Sequence, residues 1–424
     1  MLPSNDAVSH AAADLPPLMT APARAPDVTP GPAAGLPPAV KGLSLVSLFN
    51  DFASEMVYPL LPAFVTGTLG GGAALLGLLD GAADLTSAVL KVASGRLADR
   101  PRWRGPLILI GYLTAVLVRP LIAVASAAWQ VVGFRVIDRI GKGIRTPPRD
   151  ALIAGVTPPA LRGRAFGFHR GADHLGAVIG SLAAWYFLER GVEVRRVIEW
   201  SVVPGLLAFV VLSVVLRAAR PPAAAPVARS PAASPPADAG GRVFWAPVLA
   251  LTALTFFRLP EALLLLRLQQ AGVAVALVPL VWAGLHVVRS ASSYPGGWLS
   301  DSLGPRATVA AGGLVFAAVA AVLGSRLTPS AAVVTFLALG LVAGLTESAE
   351  RAMVARLSPV RAGRGFGLYH ALTGAAALPA GLLFGWVYQS VSGPAALRAS
   401  AAGMVAAVIL WLGASPRMGE MGSA

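Results

Sequence analysis

The sequence predicts an all-α polytopic membrane protein with twelve transmembrane helices, arranged as two pseudo-symmetric six-helix bundles. Of its 424 residues, 56% are hydrophobic and only 13% are charged, whereas a soluble domain carries about 25% charged residues. Long apolar runs recur between residues 43 and 415, and several exceed the roughly 18–20 residues that cross a hydrocarbon layer. Two short motifs also occur twice, at equivalent points of the two halves.

The apolar runs define twelve predicted spans. They are residues 43–67, 73–97, 106–126, 129–150, 165–188, 198–218, 244–268, 274–299, 306–326, 331–354, 365–389 and 395–415. Pro/Ala-rich segments, which cannot bury a core, precede and divide them. The predicted organisation is a disordered cytoplasmic tail (1–40), an N-terminal six-helix bundle (41–218), a cytoplasmic Pro/Ala-rich linker (219–242), a C-terminal six-helix bundle (243–416) and a cytoplasmic tail (417–424). The first 40 residues lack the basic region and apolar core of a signal peptide.

Arginines concentrate in alternate connections between the spans and carry most of the net charge of +14. The connection after span two contains Arg100, Arg102 and Arg104, whereas the connection after span one, at residues 67–74, has no charge. Positively charged loops stay on the cytoplasmic side. We therefore predict a multi-pass protein of the bacterial inner membrane with both termini in the cytoplasm, and we interpret the positive charge as topology, with no nucleic-acid partner. The absence of cysteine excludes disulfides and thiolate metal sites.

Two motifs indicate that the chain is an internal duplication. Leu161-Arg-Gly-Arg-Ala-Phe-Gly-Phe-His169 opens span five, and Arg361-Ala-Gly-Arg-Gly-Phe-Gly-Leu-Tyr369 opens span eleven, 200 positions later. Likewise, Gly95-Arg-Leu-Ala-Asp99 closes span two and Gly297-Trp-Leu-Ser-Asp301 closes span eight. Each motif holds the same place in its own set of six spans.

These features resemble the major facilitator superfamily, with most likeness to its twelve-helix drug and metabolite exporter branch. The run Gly95-Arg-Leu-Ala-Asp-Arg100 is similar to the signature of that family between helices two and three. Arg139-Ile-Gly-Lys-Gly143 resembles a second family motif, with Lys142 where a Gln is frequent, and Pro59-Leu-Leu-Pro62 resembles the proline pair of the exporter branch. Span five keeps the glycine spacing of the antiporter motif but departs from it at two positions, Ala177 and Ser181.

The resemblance implies a substrate site near the middle of the membrane, between two halves that rock against each other. In such a fold, Asp99 would approach neighbouring helix ends and pair with Arg149 or Arg364, and the pairing would break as the halves open. The predicted gating residues are Gly95, Asp99, Arg100, Arg149, Asp301 and Arg364. The alternative is that the motif only fixes topology and caps helices.

Ionisable side chains at bilayer depth are costly and usually face a cavity or a partner. Asp51 and Glu55 lie one turn apart on span one, and Arg139 and Lys142 lie at overlapping depth on span four. A buried carboxylate takes up a proton when a neighbouring cation moves away, since burial and the cation change its proton affinity in opposite directions. These four are the predicted proton-coupling residues, with Asp51 as the first candidate for the carrier. A static salt-bridge cluster is the alternative.

Further polar positions are predicted to contact substrate. They are Tyr58, Asp138, His169, Asp173, Arg258, Glu261 and Glu347. Interhelical hydrogen bonding is the alternative for His169 and Asp173, and a metal site is disfavoured because the intervening Arg170 would repel a divalent cation. Mutual neutralisation at i, i+3 is the alternative for Arg258 and Glu261. Asp80 and Asp84 on span two are interpreted as a solvated face at the outer rim.

The sequence hypothesis is a secondary active transporter, not an enzyme, that exports a small polar or charged organic compound by alternating access driven by protons. No GxxxxGK[ST] sequence for nucleotide binding is present, and neither HExxH nor GxSxG occurs. We expect no cofactor, no resident metal and a monomer in the lipid bilayer. A proton-coupled importer of a nutrient or metal chelate uses the same helices in the opposite direction, and a non-transporting membrane sensor is the alternative from another class.

Overall fold

The computed structural model describes residues 35–158, 161–218, 242–357 and 362–415. All regular structure in these ranges is helical, without a strand, which confirms the predicted all-α fold class. Most of the predicted N-terminal tail, nearly all of the predicted linker and the predicted C-terminal tail lie outside the described residues.

The helices group, in chain order, into twelve segments. They are α1 (Pro38–Val57), α2 (Ala73–Ala98), α3 (Pro101–Leu121), α4 (Ala128–Val156), α5 (Arg162–Glu189), α6a (Val194–Trp200), α6b (Val202–Ala218), α7a (Arg242–Phe257), α7b (Glu261–Gln270), α8 (Val278–Leu303), α9 (Pro305–Leu323), α10a (Pro329–Leu337), α10b (Leu339–Leu357), α11 (Ala362–Ser390) and α12 (Gly393–Ala414). Segments six, seven and ten are each broken once, which the hydropathy pattern did not predict.

Prolines account for two of the irregularities. Pro260 precedes α7b, and since proline has no N–H to donate and restricts the residue before it, the seventh segment breaks at Arg258–Pro260. Pro59 and Pro62 follow α1, where the chain continues through a short 3₁₀ turn and a π-helical turn. The proline pair noted in the sequence therefore marks a change of helix type at the end of α1.

Within the described ranges, nine helices are long and apolar enough to cross a membrane. The three other segments, α1, α4 and α5, each carry at least three charged side chains. A helix with that many charges needs a polar surface to face. These three helices, and others that carry charges at similar depth, such as α2 with Asp80 and Asp84, are therefore expected to face a polar space inside the bundle.

Two ends of the bundle can be distinguished. We call the end where α1 begins, α12 ends and α2 joins α3 the arginine-rich end, because Arg96, Arg100, Arg102 and Arg104 lie there. The opposite end, where α1 ends and α2 begins, is the distal end.

Helix packing repeats between the two halves. In the first half α1 packs on α5 and α6b, and α4 packs on α2 and α3. In the second half α7a packs on α11 and α12, and α10b packs on α8 and α9. Adding six to each label of the first set gives the second set, so the duplication seen in the motifs is also present in the packing. The halves meet along α2 and α11 and along α5 and α8, two contacts related by the same shift.

Glycines allow the backbones of α2 and α11 to approach closely. A Cβ atom added to Gly77 would lie 2.0 Å from the carbonyl oxygen of Gly381, and one added to Gly381 would lie 2.2 Å from the oxygen of Gly77. Nearer the distal end, a Cβ atom on Gly385 would lie 3.0 Å from the Cα of Ala74, and nearer the arginine-rich end one on Gly374 would lie 2.2 Å from the Cβ of Ala88. The backbones of the two halves therefore approach each other closely at several glycines along this seam.

The same kind of contact joins α1 to α5 inside the first half. A Cβ atom on Gly180 would lie 2.3 Å from the carbonyl oxygen of Phe52, and a backbone atom cannot move aside without shifting the helix.

We expect Gly180→Val to destabilise the protein, because overpacking a tight contact costs about 1–3 kcal/mol. The measurement is the thermal unfolding temperature of the purified protein in detergent. Gly133→Val is the matched control, since Gly133 lies on an exposed face of α4 with no atom within 4 Å of an added Cβ. Equal unfolding temperatures for the two variants would contradict the packing described.

Candidate functional site

A cavity of about 520 Å³ lies between the two halves, and residues of α1, α2, α4 and α5 on one side and α7, α8, α10b and α11 on the other line it. Its carboxylates are Asp51, Glu55, Asp80, Asp84, Asp173, Glu261 and Glu347. Its arginines and lysine are Arg135, Arg139, Lys142, Arg170, Arg258 and Arg289. Two histidines, His174 and His286, complete the ionisable lining. The cavity is therefore the polar surface that the charged helices face.

Bonds between the halves are located at the level of Glu55 or nearer the distal end. Trp282 Nε1 donates to Glu55 Oε2 at 2.7 Å, and His286 Nε2 lies 3.8 Å from the same oxygen. The backbone N–H of Ala262 donates to Asp80 Oδ2 at 2.9 Å. Near the distal surface, the backbone N–H of Ala74 donates to the side chain of Gln389. Among the described residues, no hydrogen bond or ion pair joins the halves at the arginine-rich end.

Apolar packing between the two halves is also found near the distal end. One buried cluster includes residues of both halves near the distal end, such as Leu61 and Leu76 with Leu263. A second cluster, at the arginine-rich end, contains first-half residues such as Val40 and Ile108 in the part of the chain that the structure describes. The cavity is therefore closed on its distal side.

Asp80 connects three elements at this closure. Its Oδ2 accepts hydrogen bonds from the Tyr58 hydroxyl at 2.9 Å and from the N–H of Ala262, in the first turn of α7b. A carboxylate at a helix N-terminus satisfies a free N–H and interacts favourably with the helix dipole. The break in the seventh segment thus creates a binding point for a side chain of the opposite half.

The predicted proton-coupling residues all line the cavity, but their contacts differ from the predicted network. Asp51 accepts a hydrogen bond from Asn50 Nδ2 at 2.9 Å, and Glu55 binds Trp282 and His286 of the other half. In the described residues, no nitrogen of Arg139 or Lys142 lies within 4 Å of either carboxylate.

Asp138 lies away from the cavity, in a buried ion pair. Its Oδ1 accepts from Arg119 Nε at 2.9 Å, and its Oδ2 lies 3.7 Å from Arg135. Asp138 and Arg119 are 1% and 4% exposed, and Arg119 also donates to the backbone oxygen of Asn50 on α1. This cluster joins α1, α3 and α4. Sequence reasoning did not consider Arg119, although a single arginine inside the apolar run of span three is the signal that could have found it.

The polar residues of α5 form a group of their own. Asp173 lies 3.7 Å from both His169 and Arg170, and His169 is 3.4 Å from the hydroxyl of Ser44 on α1. Asp173 lines the cavity, whereas His169 is buried beside it.

In the second half, Arg258 and Glu261 do not neutralise each other. Arg258 lies 3.6 Å from Glu350, which accepts from the Tyr369 hydroxyl at 2.5 Å. Glu261 is bonded to Arg289 of α8. Each partner comes from another helix, because the break in the seventh segment at Arg258–Pro260 disturbs the i, i+3 relation.

Three other sequence interpretations can be compared with the structure. Glu347 lines the cavity and lies 3.3 Å from Arg351 on its own helix. The interpretation of Asp80 and Asp84 as an outer-rim face was wrong, since both line the central cavity. Tyr58 also lines it, with its ring 5.2 Å from that of Trp282, a residue that carries no sequence signal for this role.

The predicted gating residues lie at the arginine-rich end. Asp99 and Arg100 are exposed at the end of α2, Gly95 is half-buried one turn earlier, and Asp301 is exposed at the end of α8. Arg149 pairs with Asp150 at 2.9 Å and donates to the hydroxyl of Ser47. Within the described ranges, Asp99 makes no ion pair, and the side chain of Arg364 lies outside what the structure describes.

Two helical halves related by internal symmetry, with a charged cavity between them, define a membrane transporter fold. The model of the Major Facilitator Superfamily matches residues 43–288, and the chain belongs to this family. The family is not enzymatic, and its members act on small-molecule substrates.

Relatives by sequence agree with this assignment, and a solved structure shares the fold. An uncharacterised MFS-type transporter of Methanocaldococcus jannaschii is 27% identical over 351 residues, which cover 82% of this chain and 87% of the relative. The multidrug resistance protein MdtH of Edwardsiella ictaluri is 32% identical over 133 residues, 31% of this chain and 33% of that protein. The crystal structure of a bacterial homologue of the human lysosomal transporter Spinster, inward-facing and unoccupied, has a TM-score of 0.65 at 19% identity and covers 89% of this chain and 95% of that one.

We expect Arg119→Met to lower stability strongly, because it leaves the buried carboxylate of Asp138 without its nearest partner. Breaking a buried pair costs about 3–5 kcal/mol. The thermal unfolding temperature and the yield of monodisperse protein measure the loss.

The control for this prediction is Arg196→Met. Arg196 pairs with Glu199 at 3.0 Å, but its side chain is 66% exposed, and exposed pairs contribute about 0–1 kcal/mol. A loss no larger in the Arg119 variant than in the Arg196 variant would contradict a structural role for the buried pair.

Proposed function

We propose that this protein is a proton-driven secondary transporter that exports a small polar or charged organic compound across the inner membrane by alternating access. The observation that carries the proposal is the cavity of about 520 Å³ between the halves, with seven carboxylates and six arginine or lysine side chains on its wall. A plain hydrophobic compound would gain little from such a surface, whereas a polar or charged compound can replace its hydration with these groups.

Orientation follows from the arginines. Positively charged connections favour the cytoplasmic side, so the arginine-rich end is assigned to the cytoplasm and the distal end to the outside. The structure then represents a state that is closed to the outside. Alternation would break the bonds at Glu55 and Asp80 and close the cytoplasmic end, where Arg149 would exchange its bond to Asp150 for one to Asp99.

Asp51 is the proposed proton carrier. It lines the cavity, and in the described residues its carboxylate has a hydrogen bond from Asn50 but no cation within 4 Å. Glu55 is the second candidate, and its bonds to Trp282 and His286 would couple its protonation to separation of the halves. One proton moved inward contributes about 2.3 kcal/mol per 100 mV, which supports roughly fifty-fold accumulation in a one-to-one exchange.

Export is favoured by two features of the sequence. One is the likeness to MdtH, named a multidrug resistance protein, over 133 residues. The other is the glycine series of α5, namely Gly167, Gly171, Gly176 and Gly180. We propose that the protein works as a monomer, since the complete cavity lies within one chain.

Import of an anion together with a proton is the second candidate. It is favoured by Arg139 and Lys142, which line the cavity without a carboxylate within 4 Å in the described residues. An anion bound to them would compete with the charged form of Asp51 for the same cations. Anion and proton would then bind together, and the direction of flux separates this candidate from export.

We expect Asp51→Asn to abolish proton-driven flux while leaving the fold intact, because an amide cannot carry the proton. The measurement is the intracellular level of a broad compound panel, by mass spectrometry, in pump-depleted cells that express each form at equal levels. Compounds depleted only by the unmutated protein establish export, and compounds enriched establish import.

Glu199→Gln is the matched control, since Glu199 is a half-buried carboxylate of α6a that does not line the cavity. Gradient-driven flux of normal size in the Asp51 variant would refute the carrier role.

We expect Asp99→Asn to slow turnover at least several-fold with little change in substrate affinity, since the proposed pairing forms only in the state closed to the cytoplasm. Initial rates over a range of substrate concentrations separate the maximal rate from the half-saturating concentration. An unchanged maximal rate would eliminate the proposed pairing of Asp99.

A further inference from the structure

A second pocket of about 240 Å³ adjoins the central cavity between α2, α4, α7a and α11. Lys91, Arg139 and Lys142 line it, and Asp84 is its carboxylate. Arg139, Lys142 and Asp84 also line the central cavity, so the two spaces share a wall. We call this space the cationic side pocket.

The cations of the two spaces fall into two groups. Arg135, Arg170, Arg258 and Arg289 of the central cavity each have a carboxylate oxygen within 4 Å. In the described residues, no carboxylate oxygen lies within 4 Å of Arg139, Lys142 or Lys91. The three cations without a partner are therefore the three that line the side pocket.

The carboxylate present in the pocket does not neutralise them. Asp84 is exposed, and no nitrogen of Lys91, Arg139 or Lys142 lies within 4 Å of its oxygens. Three cations against one carboxylate leave an excess of positive charge at membrane depth, which is costly without an anion.

An uncharged donor also faces this pocket without a partner. Ser87 is 5% exposed and lines the pocket, and its hydroxyl has no hydrogen bond in the described structure. A buried hydroxyl normally has a partner. Because a hydroxyl donates one hydrogen bond, Ser87 and the three cations together form a set of donors suited to an acid group.

We propose that the substrate is a small organic anion whose acid group, a carboxylate or a phosphoryl group, binds in the cationic side pocket to Lys91, Arg139, Lys142 and Ser87. The rest of the molecule occupies the central cavity. The inference rests on the proposed transport function and names the substrate class of that same site.

The first test compares four forms in the compound-panel assay, with anionic, cationic and neutral compounds represented equally. The protein-dependent compounds are expected to be anions. Their flux falls at least about tenfold in Lys142→Gln and in Lys91→Gln, since each loses a charge-assisted hydrogen bond. Lys41→Gln is the matched control, because Lys41, the third lysine of the chain, is exposed near the start of α1 and lines neither space. Transport of cations or neutral compounds alone, or full anion flux in Lys142→Gln, overturns the proposal.

The second test measures binding without transport. The thermal unfolding temperature of the purified full-length protein in lipid nanodiscs is recorded in sodium benzoate, sodium succinate or sodium glycerol phosphate, against sodium chloride of equal ionic strength. We expect at least one of the carboxylates or the phosphate ester to raise the unfolding temperature. This stabilisation is lost in Lys142→Gln and kept in Lys142→Arg and Lys41→Gln. Unfolding temperatures in chloride show whether each variant folds.

The two tests separate the two proposals. Anion-dependent stabilisation without flux of any compound refutes transport and keeps the anion site. Flux of cations or neutral compounds without such stabilisation keeps transport and refutes the anion site. No stabilisation by any of the three anions overturns the inference by itself, and the arm that responds distinguishes a carboxylate from a phosphoryl group.

Discussion

The cost of an unpaired charge in a membrane governs how this chain folds. Inside the first half, Arg119 and Asp138 are almost fully buried and form an ion pair with each other. A second set of charged side chains, including Asp51, Glu55 and Arg139, lines the cavity between the halves. Apolar faces are left for lipid and for helix packing. The charges therefore fall into two groups. Those buried within one half stabilise that half, and those on the cavity wall remain accessible.

Close helix contacts complement this arrangement. Along α2 and α11, glycines such as Gly77 and Gly381 bring backbone against backbone, so no side chain separates the two helices at these points. On the distal side the seam is supported by a continuous apolar cluster and by the bonds at Glu55 and Asp80. The distal side of the cavity is therefore closed by close helix packing, apolar contacts and a few specific polar bonds.

Much of the fold could be predicted from the sequence, because the hydropathy pattern indicates the apolar helices directly and the repeated motifs indicate two related halves. The charges on spans one, four and five also predicted a polar cavity. Partners between helices could not be predicted: spacing along one helix shows which residues share a face, but Glu350 is far from Arg258 in sequence and reaches it only through tertiary packing. Asp80 was misplaced for the same reason, since its depth depends on how α7b meets α2.

The bond from Ala262 to Asp80 has one more consequence. Because a helix end in one half is capped by a side chain of the other, parting of the halves would leave the N–H of Ala262 without its partner and Asp80 Oδ2 with the Tyr58 hydroxyl alone. A buried polar group without a partner is costly, so water must reach this point as the cap is lost. Under the proposed alternating access, separation and wetting of the distal wall would be a single cooperative event, and the hydration of one helix end would contribute to the barrier between the two states.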